Sequence, residues 1–195
     1  MYIRPIFHQP NQDELVAFMQ RYSFATMITA GQIPSATHLP LLVTQHGAEL
    51  RLMGHMARAN PQWCESEGNS ALVVFSGPHA HISPTYYEQA RSVPTWNYVA
   101  VHATGPVQLV TEPTRVLEIM TATITQYEVG YQPQWDSLPS TYQTGLLQGI
   151  VAFELTITAL QGQWKLSQNK TAGEQQRIRE ALADVNFPIK RANGQ

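Results

Sequence analysis

The stretch SATHLPLLVTQHGAELRLMGHM, Ser35 to Met56, reads as two extended runs around a tight turn. Ser35 to Thr44 and Glu49 to Met56 are strand-like, and His46-Gly47 between them is a turn signal. A connection this short joins only antiparallel neighbours, because parallel strands need a crossover of a dozen residues or more. Working outward, Phe24 to Thr29 precedes a turn at Gly31. Ala71 to Phe75, Ala80 to Ser83, Tyr98 to Val110 and Ile150 to Leu160 read as further strands. These runs follow one another without a helix after each, which excludes a parallel doubly wound sheet.

Helices are expected at intervals around them. Asn11 is placed to cap a helix with Glu14 three residues on, and Leu15, Val16, Phe18 and Met19 form its apolar stripe. Asn60-Pro61 starts a short helix. Pro113 to Tyr127 carries Val116, Ile119, Met120 and Ile124 on one face, and Tyr142 to Gln148 follows an irregular GYQPQWDSLP. A polar helix at Gly173 to Val185 closes the chain. Six or seven antiparallel strands with peripheral helices predict a mainly β fold, a β-barrel in one domain over residues 1–195.

The 195 residues are 43% hydrophobic but only 13% charged, against about 25% charged in ordinary globular domains. A surface so poor in charge predicts a face hidden against a second copy, a homodimer. Net charge is -2 and the pI about 6.4, which gives no general attraction to nucleic acid or anionic membranes. Cys64 is the one cysteine, so no intrachain disulfide forms. The start MYIRPIFHQP lacks the basic and apolar regions of a signal peptide, and no apolar run approaches the ~20 residues of a bilayer span. A cytoplasmic, non-membrane protein is the expectation.

Several chemistries can be weighed residue by residue. His79 and His81 in FSGPHAHISPTYY share one strand face, but no HExxH, CxxC or nearby acid completes a metal site. No metal is expected. Ser76 in FSGPH lacks the glycine before a nucleophile elbow. GxGxxG and GxxxxGK[ST] are both absent. Phosphate is instead suited by GHMARANPQW, Gly54 to Trp63, where a strand end, Arg58 and a helix start coincide, although a routine junction has the same form. WKLSQNKTAG adds Lys165, Ser167, Gln168, Asn169 and Lys170, a dense set of donors. Tyr86, Tyr87, Trp96 and Tyr98 cluster around a PTWNY turn, where packing is the plain role. Arg177, Arg179, Lys190 and Arg191 are offset by Glu174, Glu180 and Asp184, and no helix-turn-helix with a basic recognition helix is visible.

Taken in order, HLPLL (His38 to Leu42), GHMARANPQW, FSGPHAHISPTYY, VPTWNYVAVHATG (Val93 to Gly105) and KLSQNK (Lys165 to Lys170) resemble the PaiB-type FMN-binding negative transcriptional regulators. The resemblance spans roughly residues 1–185. It implies an antiparallel split β-barrel of the kind found in pyridoxamine-phosphate oxidases and flavin reductases, a homodimer with FMN in the groove between subunits. Carried over position by position, the phosphate-binding strand and loop match Gly54, His55, Arg58, Ala59 and Asn60. The strand under the isoalloxazine matches Thr37, His38, Leu39 and Pro40. Trp96 and Asn97, and Lys165, Gln168 and Asn169, are then expected to face the cofactor. Two positions depart from the family: His81 stands where Tyr is common, which argues against a metal ligand, and Lys170 where Arg is common. The resemblance implies a repressor, with DNA as a partner that no visible motif supports. The alternatives are an FMN-dependent oxidoreductase or flavin reductase of a small molecule and, ranked below it, a haem-binding or haem-degrading barrel using His55, His79 or His102.

Overall fold

Residues 1–183 are described in a computed structural model of the chain, so the expected Val185 end of the last helix, with Lys190 and Arg191, lies outside them. Nine strands occur among these residues: β1 (His8–Gln9), β2 (Phe24–Ala30), β3 (Pro34–Pro40), β4 (Leu42–His46), β5 (Glu49–Ala57), β6 (Ser70–Ile82), β7 (Thr95–Val110), β8 (Ile150–Thr156) and β9 (Ala159–Lys165). The helices are α1 (Gln12–Arg21), α2 (Gln62–Ser66), α3 (Pro113–Tyr127), α4 (Gln132–Ser137), α5 (Ser140–Gln148) and α6 (Ala172–Leu182). The chain gathers into two compact units, one from Met1–Leu15, Ser76–Val101 and Gln161 onward, the other from Val16–Phe75 and His102–Leu160.

In the second unit the strand order is β3-β2-β6-β7-β8-β5-β4, and the registered pairs are antiparallel. The opening hairpin forms as its turn predicts: His46 pairs with Glu49, and Gly47 takes φ 61, a left-handed conformation that glycine adopts without a Cβ penalty. Ser35 to Thr44 is not one strand, however. It breaks at Leu41, which is buried and whose N–H donates to the Ser23 carbonyl at 2.9 Å. Pro40 beside it has no N–H to continue a ladder. The chain thereby changes partner, from β2 (Phe24 opposite Pro40) to β5 (Leu42 opposite Met53).

Ile150 to Leu160 likewise divides, because the Ile157 and Thr158 amides turn aside to the carbonyls of Leu50 and Thr104. The reverse holds for Ala71–Phe75 and Ala80–Ser83, which form the single strand β6. Its ladder with β2 covers Ala71 to Val74 only, so the missing N–H of Pro78 costs that ladder nothing. GYQPQWDSLP is ordered as a 3-10 turn at Val129–Tyr131 followed by α4, which buries Trp135.

Met27, Leu52, Val73, Phe75, Phe153 and Leu155 are buried in this unit. One face of α3 covers a neighbouring cluster, with Ile119 against Leu42, Met53 and Ala152. The helix starts where Pro113 allows it, and the Glu112 carboxylate caps it by accepting from the Thr114 and Arg115 amides. In the first unit β1 pairs with β9, and β9 with β7. Its core sets Ala80 and Ile82 against Ile178 and Leu182 of α6. A reciprocal capping box between Thr171 and Glu174 fixes the start of α6, directly after KLSQNK. No described helix is long and apolar enough to cross a membrane.

Candidate functional site

The residues expected to meet a cofactor fall in both units. In the second, Thr37 to Pro40 lie on β3, the edge strand of the order given above, whose outer backbone side has no strand partner among the described residues. Leu39 is buried, Thr37 and Pro40 half-buried and His38 exposed, its ring 6.2 Å from that of Phe24. Thr37 and Asn60 are brought into contact: the Asn60 amide donates to the Thr37 hydroxyl at 2.8 Å, and that hydroxyl donates to Gln62. Gln62, 2% exposed, continues the network to the Met27 carbonyl at 3.1 Å. The Asn60 side chain caps by accepting from the Gln62 amide at 3.0 Å, while α2 itself begins later than expected and runs for five residues.

Arg58 is engaged rather than free. Its Nε donates to the Gln148 carbonyl and its Nη2 to the Ile150 carbonyl, both at 2.7 Å, which ties the turn after β5 to the end of α5. Gly54 has a packing reason, since a Cβ there would stand 2.6 Å from Leu41 Cδ2. His55 is partly buried with Nδ1 unpaired, and burial pushes its pKa down. Ala59 lies exposed in the turn. A cavity of about 530 Å³ adjoins Arg58 and Trp63, but its other lining includes Val116, Leu117, Leu147 and Val151, and Arg58 is its one ionisable group.

In the first unit the structure assembles a polar cavity of about 480 Å³. Of the expected residues, Asn97, Lys165 and Asn169 line it. Trp96 and Asn97 lie on β7, not in a turn, so their side chains alternate: Asn97 is buried and Trp96 half-exposed. Trp96 instead meets His79 and His81, with ring centres 5.9 and 5.6 Å apart. The i, i+2 histidines therefore share an aromatic neighbour, and no group of three or more His, Cys, Asp or Glu among the described residues is placed to hold a metal. Gln168 closes its own loop, accepting from the Leu166 amide at 2.7 Å and donating to the Trp164 carbonyl.

The same cavity is lined by Tyr87, Tyr98, Ser167 and Lys170, and by Tyr2 and Arg4, which sequence reasoning passed over. Gln163, also not anticipated, accepts from the Tyr98 hydroxyl at 3.0 Å. Ser167 takes φ 65, a left-handed conformation that is uncommon without glycine, and its hydroxyl donates to Asn97 at 3.0 Å. Burial, with Arg4 nearby, pushes the Lys165 pKa down, and burial raises that of Tyr87. The Tyr87 hydroxyl is buried without a partner. Amides, hydroxyls and cations around an apolar-walled space form a donor set that fits a flavin mononucleotide, which has a charged phosphate at one end and a flat, hydrogen-bonding ring at the other.

Comparison with known proteins agrees with this chemistry. Residues 1–159 match a family model described as "Putative FMN-binding domain". The protease synthase and sporulation protein PAI 2 of Bacillus subtilis is 36% identical over 192 residues, covering 96% of this chain and 92% of its own. Among solved structures, the FAD and heme binding protein of Mycobacterium smegmatis superposes with a TM-score of 0.65 at 12% identity, over 88% of this chain and 79% of that one. The flavocytochrome Anf3 of Azotobacter vinelandii does so at 0.63 and 14%, over 84% and 72%. At such identity these two show the fold alone, the antiparallel split β-barrel. The chain therefore belongs to the PaiB-type family of FMN-binding domains, with FMN as its cofactor.

Proposed function

We propose that this chain is a homodimeric FMN-binding protein that acts as a negative regulator of transcription in the manner of its family. The observation that carries the FMN part is the polar cavity of the first unit, where Arg4, Lys165, Lys170, Asn97 and Asn169 line one apolar-walled space. Asn97, Lys165 and Asn169 are the residues proposed to meet the cofactor there, with Trp96 and Gln168 beside them. In the proposed homodimer FMN lies in a groove between subunits, and the family resemblance assigns Thr37, His38, Leu39 and Pro40 of the other unit to the ring and Gly54, His55, Arg58, Ala59 and Asn60 to the phosphate. Arg58 brings Nη1 and one remaining Nη2 hydrogen to that task, Nε and the other Nη2 hydrogen being engaged. Bound FMN supplies reversible electron and hydride exchange.

The dimer reading is supported by the low charge content and by large apolar side chains left on the surface, among them Phe24, Ile33, Val93 and Trp96. Repression is read as indirect, through a partner protein or a small molecule. Arg177 is bonded to the Tyr86 carbonyl and to Glu88, and Arg179 to Gln176, so α6 does not present a row of free cations for phosphates.

A mobility-shift assay on the FMN-loaded protein across a salt series tests the regulatory reading. Indirect repression predicts no specific shift by the protein alone; a specific shift whose affinity falls steeply with salt contradicts it. The second reading, an FMN-dependent oxidoreductase, is supported by the same donor-lined cavity. Rapid anaerobic bleaching of the flavin by NADH or NADPH would favour it over a regulator.

A further inference from the structure

The second unit holds a cavity of different character, about 530 Å³, lined from the start of α3, the ends of β7 and α5, the start of β8 and the turn after β5. Trp63, Leu109, Val110, Val116, Leu147 and Ile150 wall it, and each is left only half-buried. Leu117, also in the lining, is 36% exposed. A concave apolar surface of this size is what small organic ligands occupy.

Arg58 is the one charge in this wall. Its Nε and one Nη2 hydrogen are held by the Gln148 and Ile150 carbonyls, both neutral acceptors, at 2.7 Å. Three donor hydrogens remain, two on Nη1 and one on Nη2. No carboxylate among the described residues lines the cavity, and Glu112, beside Pro113, is engaged by the Thr114 and Arg115 amides. The indole N–H of Trp63 donates to the Arg58 carbonyl at 2.9 Å, which ties the aromatic wall and the cation to one turn. A guanidinium already fixed by two bonds meets an anion with little further loss of side-chain freedom.

We propose that this cavity binds a monocarboxylic acid with an apolar body, the carboxylate on Arg58 and the body against Trp63, Leu117 and Leu147. Charge count selects the class. One cation answers one carboxylate, whereas a phosphate monoester carries nearly two charges and finds no second cation in the lining. A neutral hydrocarbon leaves the remaining Arg58 donors without an acceptor. Apart from Arg58 the lining shares no residue with the positions assigned to FMN, so the proposal goes beyond the cofactor reading and does not depend on it.

Calorimetric titration of the full chain tests it, with octanoate and octanol as probes, in protein with and without added FMN. Octanoate should bind wild type at about one per chain and octanol roughly tenfold more weakly, since the alcohol brings no charge to Arg58. Arg58→Gln should erase that preference. Leu117→Glu, at an exposed helical position, sets a like charge beside the acid and should weaken octanoate several times more than octanol. If Arg58→Gln does not fold, Leu117→Glu carries the comparison. Octanoate affinity unchanged by FMN supports a site separate from the flavin's, and loss of binding on FMN loading places the acid in the cofactor's groove and overturns the proposal. In a protein that takes up no flavin, the two probes and two variants still decide the matter, so failure of the FMN reading is told apart from failure of this one. No octanoate binding to wild type, equal affinity for both probes, or wild-type affinity in every folded variant overturns the proposal.

Discussion

The ammonium of Lys170 lies 3.4 Å from the centre of the Tyr87 ring, and the hydroxyl at the far end of that ring is buried with no acceptor. One face of the side chain is thus satisfied and its polar tip is not. Replacing Tyr87 with Phe keeps the ring under the cation and removes the orphan oxygen. In ligand-free protein the variant should be as stable as wild type or more so, by up to about 1–2 kcal/mol, since an unsatisfied polar group is lost. Urea unfolding of wild type and variant measures the difference. A clear loss of stability without ligand would mean the hydroxyl already has a partner.

Arg58 was picked out from the sequence as a phosphate ligand, and its two carbonyl bonds assign it a structural part as well. Arg58→Ala should lower the stability of flavin-free protein by about 1 kcal/mol, the net worth of exposed bonds of this kind. Unfolding of the apo protein checks this. An effect confined to flavin uptake would contradict the bonding seen here.

Gly105, at the end of the VPTWNYVAVHATG motif, packs against backbone: a Cβ there would fall 1.8 Å from the Thr156 carbonyl oxygen. Gly105→Ala must push β7 and β8 apart, at a cost of about 1–3 kcal/mol or more, so its melting temperature should drop by several degrees. A melting temperature equal to wild type would show that the two backbones are not this close.

Burial holds the pKa of His55 below its ordinary value, and that of His102 as well. The unfolded chain then takes up protons before the fold does, so stability should fall as pH drops through about 6.5, by at most about 1.4 kcal/mol per pH unit per group. Glu112 and Glu174, whose pKa values are lowered chiefly by backbone N–H groups, act in a separate window, losing stabilisation only as pH falls below the usual carboxylate value. Thermal unfolding of wild type and His55→Gln between pH 5 and 7.5 should show a shallower slope in the variant. Parallel slopes would remove His55 as a contributor.

These residues also show what the chain states locally and what it does not. The turn at Gly47, the Asn11 cap of α1, which accepts from the Glu14 amide, and the start of α3 at Pro113 depend on neighbours in sequence, and all were legible. The break at Leu41 was not, because it depends on the Ser23 carbonyl. Nor was the partnership of Tyr2 and Arg4 with Lys165, since the cavity joins the first residues of the chain to segments near residues 95 and 165. Asn97, Lys165 and Asn169, named through the family resemblance, line one cavity, and Thr37 and Asn60 touch. The engagement of Arg58 left no trace in GHMARANPQW, because its acceptors lie about ninety residues away.

The most direct test is the absorption spectrum and flavin stoichiometry of the purified chain after incubation with FMN and gel filtration. One FMN retained per chain, with the flavin's visible bands moving with the protein, is the predicted result. A protein that elutes colourless after exposure to excess FMN would contradict the central claim.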